Sequence, residues 1–264
     1  MLTISILGCG WFGLPLAKNL LKKGYIVKGS TTSFEKLSLL SEIGIDPYIV
    51  DFSKENAAYS TDFFNCDVLF VTIPPKRKSG EAFYYPQKIK SIFQAVAKGR
   101  VKQVILISSI GVYENSNNRF TELDTPQPDT ESGKALFAAE KIAKEQKGIT
   151  TTVLRFGGLF GPGRDPGRFF SGKKNIPNGL APVNMIHLND CLGISLAILE
   201  KEAFGHTYNA CSSQHPSRAD FYTTSAKKTG LEPPEFILEL LRWKVVDSVN
   251  VQRLLNYRFL ELLE

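Results

Sequence analysis

The stretch "LTISILGCGWFGLPLAKNLLKKG", Leu2 to Gly24, decides the fold. Its first part, Leu2 to Leu7, is short, apolar and isoleucine-rich, the composition of a strand buried on both faces. Its last part sets Gly13, Leu16, Ala17, Leu20 and Leu21 on one stripe at helical spacing, and Gly24 stops that helix. Between strand and helix lie Gly8, Gly10 and Gly13, a G-x-G-x-x-G array. Each glycine has a physical reason there. Gly8 permits a tight turn, Gly10 lets the backbone approach a pyrophosphate, and Gly13 lets the helix pack close to the strand. The N–H groups at the helix start, around Trp11 and Phe12, then face the anion.

Outward from this unit the pattern repeats. The apolar runs Tyr25 to Ser30, Asp46 to Val50, Asp67 to Ile73, Gln103 to Ser109 and Thr151 to Phe156 alternate with helical patterns. Such alternation predicts an α/β fold, a doubly wound Rossmann-type parallel sheet, over residues 1–155. After Arg155 the pattern loosens. "GGLFGPGRDPG" is rich in turn residues, and helices follow in "HLNDCLGISLAILE" and "RADFYTTSAKKTG", the latter closed by Gly230. Residues 156–264 are expected to form a smaller substrate-binding lobe, packed on the carboxyl edge of the sheet and exchanging strands with the first part. No flexible linker separates the two.

Composition narrows the class. With 264 residues, 43% hydrophobic and 22% charged, the chain buries a full core without disulfides or metals. Cys9, Cys66, Cys191 and Cys211 are scattered and form no C-x-x-C pair, which fits reduced thiols and a cytoplasmic location. No apolar run is long enough to span a bilayer, and no signal peptide is visible. The net charge of +6 is spread along the chain without a basic tract, so nucleic acid is not an expected partner. His187, His206 and His215 lack metal-ligand spacing, and no metal site is expected.

The second strand chooses between dinucleotides. An NAD-selective site places a carboxylate near Ser30 for the ribose hydroxyls. Here the stretch reads "GSTTSFEK", and Ser30, Thr31, Thr32 and Ser33 with the Lys36 ammonium suit a 2′-phosphate. NADP is therefore favoured over NAD. The same Ser33 also reads as a cap for the next helix, with Lys36 a solvated charge. Further on, "VTIPP" ends a strand at Ile73, Pro74 and Pro75. This is a stiff loop that either passes beneath the adenosine ribose and pyrophosphate or is a plain rigid turn.

At "ISSIGVYE", Ile107 to Glu114, a wider resemblance appears. With "LRFGGLFGPGR", "VNMIHLNDC" and "YNACSSQHPSRADFY", the chain resembles the extended and atypical short-chain dehydrogenases, the NAD(P)-dependent epimerase/dehydratase family, over nearly its whole length. The resemblance implies a nicotinamide cofactor and a small-molecule substrate, with sugar nucleotides as one class. It also implies a monomer or homodimer. Ser109 occupies the place of the serine that hydrogen-bonds the reacting oxygen, while a strand-end hydroxyl satisfying the backbone is the plainer account. Ser108 is expected beside the cofactor. Phe156, Gly157 and Gly158 are expected to line the nicotinamide pocket. Arg164, Asn184 and His187 are expected toward the substrate, and Arg164 reads equally as a surface charge held by Asp165. His187 with Asp190 also reads as a hydrogen bond at a helix start.

The resemblance breaks at one helix. The family's Y-x-x-x-K places a phenol and an ammonium on one helix face, because residues four apart are neighbours there. In "ESGKALFAAEK" Gly133 keeps the register, which puts Ser132 at the tyrosine and Leu136 at the lysine. Lys134 points away from that face at helical spacing. Ser109, Tyr113 and Ser132 are the remaining catalytic candidates. The chain then reads either as an oxidoreductase or epimerase-like enzyme with a reorganised acid/base set, or as a non-catalytic NADP sensor or interaction protein.

Overall fold

The computed structural model describes residues 1–53, 57–75 and 81–263. The opening stretch folds as β1 (Thr3–Leu7) and α1 (Gly13–Lys22), followed by β2 (Ile26–Thr31), α2 (Lys36–Glu42), β3 (Asp46–Asp51) and the short β4 (Ala58–Tyr59). The second half of the sheet comes from β5 (Val68–Val71), α3 (Tyr85–Val96), β6 (Gln103–Ser109), α4 (Glu131–Lys144) and β8 (Thr150–Phe156), with β7 (Asn118–Phe120) between β6 and α4. The eight-stranded sheet has the order β11-β8-β6-β5-β1-β2-β3-β4, where β11 is Thr207–Ala210. Its pairs are parallel apart from β3 with β4. Chain order reverses between β1 and β5, the switch point where ligands bind outside the carboxyl ends of the strands.

Burial on both faces explains the composition of β1. Ile4, Ile6 and Leu7 are buried, and the polar Ser5 is tolerated because its hydroxyl donates to the Phe63 carbonyl at 2.6 Å. On one face α3 and α4 cover the sheet with Ile89, Ile92, Phe93, Leu136 and Ala139. On the other, α1, α6 (Leu188–Glu200) and α8 (Val249–Leu255) supply Leu16, Leu20, Cys191, Ile198 and Val251. The spacing of α6 predicts Leu188, Cys191, Leu192, Leu196 and Leu199 inward; all are buried except Leu196, which is half-buried.

The C-terminal half is woven into this frame. Its strand β11 pairs with β8 at the sheet's edge. A second crossing pairs β12 (Lys244–Val246) with β7. Strands β9 (Gly158–Phe160) and β10 (Met185–His187) form a third, parallel pair just past the carboxyl end of β8. The lobe also carries α5 (Gly167–Phe170) and α7 (Arg218–Lys228), which pack on one another through glycine. A Cβ on Gly167 would lie 2.8 Å from the Ser225 carbonyl oxygen. No helix among the described residues is long and apolar enough to cross a membrane.

Candidate functional site

The glycine loop is built by contacts that leave no room for side chains. Gly8 has φ +110°, and a Cβ there would meet the Thr72 hydroxyl at 2.9 Å. Its N–H donates to Ser30 Oγ at 2.9 Å, and its carbonyl accepts from Thr72 Oγ1 at 2.7 Å, so β2 and β5 grip the turn from both sides. A Cβ on Gly13 would lie 2.2 Å from the Gly8 carbonyl oxygen, which is the close helix–strand approach the spacing predicts. Gly10 differs. A Cβ there would meet nothing within 4 Å, so its face is an open cradle at the helix start. No side chain caps α1 and no acid lies in its first turn, which leaves that end positive and suited to an anion.

The rim of β2 carries the expected hydroxyls. Thr31 Oγ1 accepts from the Ser33 N–H at 3.1 Å, and Thr32 and Lys36 are exposed. Ser33 does not cap α2 with its side chain. On the β5 side, Tyr85 donates to the Ile73 carbonyl at 3.1 Å and Pro74 is exposed beside the half-buried Pro75.

Strand β6 ends on Ser108 and Ser109, and the pleat sends them to opposite faces. Ser109 Oγ accepts from the Gly111 N–H at 3.1 Å, capping the 3-10 turn Ile110–Val112. That bond engages a lone pair and leaves the half-buried hydroxyl its proton. Helix α4 starts beside this turn. Thr130 Oγ1 accepts from the Gly133 N–H at 3.1 Å, and a Cβ on Gly133 would lie 2.4 Å from the Gly111 carbonyl oxygen. The first turn of α4, which carries Ser132, thus packs on the turn that Ser109 caps. Leu136 is buried in the core with Ala139 and Ala143, and Lys134 faces outward, paired with Glu131 at 2.8 Å.

Several expectations require correction. Ser108 does not face the cofactor: its hydroxyl is buried and donates to Glu140 Oε1 at 2.5 Å. Tyr113 does not reach the cleft. It is fully buried and stacked on Phe120, and its hydroxyl accepts from Arg155 Nη1 at 2.6 Å and lies 2.8 Å from the Thr121 carbonyl. Burial pushes its pKa up. Phe156 packs edge-on against Phe12 at 5.0 Å within the core. Gly157 and Gly158 serve close packing, with added Cβ atoms 2.9 Å from the Asn184 carbonyl oxygen and 2.4 Å from Met185 Sδ. Asn184 has both ends of its carboxamide engaged, donating to the Lys244 carbonyl and accepting from the Val246 N–H, each at 2.8 Å. His187 caps α6, its Nδ1 accepting from the Asn189 N–H at 3.2 Å. Asp190 does not join it; its carboxylate takes the Tyr257 hydroxyl at 2.9 Å and the Leu260 N–H at 2.7 Å. Arg164 lies over the Trp11 ring at 4.3 Å.

Asn184 nonetheless lines a basic pocket of about 360 Å³. Asn178, Arg218, Arg242 and Lys244 line it. Lys244 Nζ donates to the Tyr113 carbonyl, at the far end of the 3-10 turn that Ser109 caps, and burial lowers its pKa while Asp129 and Glu114 oppose that. Sequence reading passes over these residues because "RWKVV" has no periodicity or motif spacing. Among the described residues no group of three or more His, Cys, Asp or Glu is placed to hold a metal ion.

A family model described as NAD(P)H-binding matches residues 8–180. The chain belongs to this NAD(P)H-binding family. It is 33% identical over 264 residues to Protein YeeZ of Escherichia coli strain K12, covering 98% of this chain and 96% of that protein. Over 145 residues it is 30% identical to 3-diazoavenalumate denitrifying reductase of Streptomyces sp, covering 50% of this chain and 47% of that protein. Among solved structures, UDP-glucuronic acid 4-epimerase from Bacillus cereus in complex with NAD matches with a TM-score of 0.82 at 18% identity, over 99% of this chain and 93% of that one. MoeE5 in complex with UDP-glucuronic acid and NAD matches with a TM-score of 0.81 at 18% identity, over 100% and 95%. At that identity the likeness is one of fold. A nicotinamide dinucleotide fits the residues present: the open Gly10 cradle and the uncapped start of α1 suit its pyrophosphate.

Proposed function

We propose that this protein is an NADP-dependent oxidoreductase of the epimerase/dehydratase type, acting on a small-molecule substrate of the sugar-nucleotide class with a non-standard acid/base set. The observation that carries the reading is the pairing of an intact glycine cradle with a hydroxyl donor, Ser109, oriented at the same edge of the sheet. The cofactor supplies hydride chemistry when bound. This chain's own residues bind and orient. Thr32, Ser33 and Lys36 are assigned to the 2′-phosphate, Ser109 donates its free proton in a hydrogen bond to the reacting oxygen, and Ser132 is assigned the sequence position of the family's phenol. Arg242 and Lys244 give the adjoining pocket the charge that a nucleotide diphosphate needs. The UDP-glucuronic acid bound with NAD in MoeE5, and the name of the other neighbour, a UDP-glucuronic acid 4-epimerase, support that class. The four free cysteines fit a cytoplasmic protein, and the chain is expected to work as a monomer or homodimer without nucleic acid.

A second reading rests on a specific observation: Leu136 is a core residue, so no ribose-holding ammonium exists on that helix face. A non-catalytic NADP sensor would look the same at this point. One experiment separates the two. The protein is loaded with NADP+ and offered a panel of UDP-sugars, or loaded with NADPH and offered small carbonyl compounds, while both nicotinamide absorbance and product formation are followed. Turnover that falls by about 10²–10³ in Ser109→Ala, the usual cost of removing one donor to a developing oxyanion, sustains the enzyme. Tight NADPH binding with no turnover across the panel favours the sensor.

A further inference from the structure

The contact between Trp11 and Arg164 joins the glycine loop to a turn far away in the chain. The indole N–H of Trp11 donates to the Pro162 carbonyl at 2.7 Å, across 151 positions of sequence. The turn that offers this carbonyl is tightly specified. Gly161 and Arg164 exchange two backbone hydrogen bonds, of 3.1 and 2.8 Å, around Pro162 and Gly163. Gly163 has φ +75°, the sign a type II turn requires after its proline. The turn rests on the His187 ring, since a Cβ on Gly161 would lie 3.0 Å from Nε2. Its conformation therefore fixes Arg164 with the guanidinium over the Trp11 face, 4.3 Å from the ring.

The charge of that guanidinium has no ion-pair partner among the described residues. The adjacent carboxylate, Asp165, instead accepts from the Gly167 N–H at 2.8 Å. Arg164 is exposed, and Trp11 sits between the open Gly10 cradle and the start of α1. A planar cation with parallel N–H donors, parked beside uncapped backbone N–H groups, is arranged for a doubly charged oxyanion. We infer that Arg164, held on Trp11, forms a clasp over the glycine loop and binds the diphosphate of the dinucleotide, not the substrate. The inference rests on the cofactor reading, and it moves Arg164 from the substrate lobe's side of the cleft to the cofactor's.

The test is calorimetric titration of the full-length protein with NADPH, ADP-ribose and 2′-AMP, which separates the diphosphate from the 2′-phosphate. Arg164→Ala is expected to weaken NADPH and ADP-ribose by about tenfold or more, the loss of one charge-assisted contact, and to leave 2′-AMP within about twofold of wild type. Arg164→Lys keeps the charge without the planar fork and falls between the two. Trp11 and Trp243 are the two tryptophans, so in a Trp243→Phe background the emission of Trp11 reports the clasp directly and changes when Arg164 is removed. ADP-ribose binding to Arg164→Ala at wild-type strength overturns the inference, and so does an equal loss of 2′-AMP. A wild-type protein that binds neither NADPH nor NADH removes the cofactor reading itself, a result distinct from an unaffected Arg164→Ala.

Discussion

Each half of the sheet buries one cation, and the two are handled differently. On the nucleotide side, Lys28 of β2 reaches out of the core to Asp62, whose carboxylate is mostly in water; Nζ lies 2.7 Å from Oδ2, with side-chain exposures of 10% and 56%. On the other side of the switch point, Arg155 of β8 meets Glu140 of α4 at 2.6 Å, with exposures of 4% and 2%. The second pair is extended by Ser108 and Tyr113 into a closed polar layer between sheet and helix. The difference explains what α4 is for. A helix that keeps its cap, its Gly133 contact and a buried ion pair, with Leu136 packed in the core, serves as a wall of the sheet. The nucleotide side has only a rim brace because its work is done by backbone.

The contrast breaks most visibly through Arg155. Arg155→Met leaves the Glu140 carboxylate buried without its partner, and removal of one member of such a pair costs about 3–5 kcal/mol. Chemical denaturation should show that loss, and Arg155→Met with Glu140→Leu should recover much of it, since an apolar pair of similar volume is often neutral or better. A loss below about 1 kcal/mol in the single variant would place the pair among those that contribute little and remove the brace.

The nucleotide side is tested by its glycines. Gly13→Ala forces a Cβ to 2.2 Å from the Gly8 carbonyl oxygen, and displacing a packed helix start of this kind costs on the order of 1–3 kcal/mol. Gly10→Val puts its Cβ where nothing lies within 4 Å and should change stability by no more than about 0.5 kcal/mol. It should nonetheless abolish NADPH binding, because its side chain fills the cradle. Thermal melting and titration on both variants sharpen the claim: one glycine serves the fold and the other serves the ligand.

This split also marks what the sequence reveals. Backbone-driven features are legible from residue types, since strands buried on both faces and the glycine spacing follow from local sterics. The six apolar runs all enter the main sheet, and α1 starts at Gly13. Side-chain roles at the site are less legible because they depend on partners distant in sequence. Nothing near Ser108 announces Glu140, and nothing near Tyr113 announces Arg155 or Asn209. Strand β11 escapes periodicity because it is short and lies in a loosely patterned half. Lys244 comes to the pocket only because β12 pairs with β7, more than a hundred residues earlier.

The smallest expected effect concerns acid. Hydrogen bonds from Lys28, then from Tyr48 and Asn65, lower the Asp62 pKa to about 2. An unfolded aspartate titrates near ~3.9, so the folded chain holds this proton more weakly than the unfolded one. The sign follows from linkage. The stabilisation is fully present above about pH 4, shrinks as pH falls, and is gone below about pH 2. Because Asp62 is exposed, salt screens the interaction and the change is small. Lys28→Met removes the first cause of the low pKa, so its melting temperature should fall less steeply than wild type between about pH 4 and pH 2. The Arg155–Glu140 pair, shielded from water, should show no comparable salt dependence over that range. Equal acid slopes for wild type and Lys28→Met would mean that the rim brace contributes nothing, and that the backbone alone holds the nucleotide side.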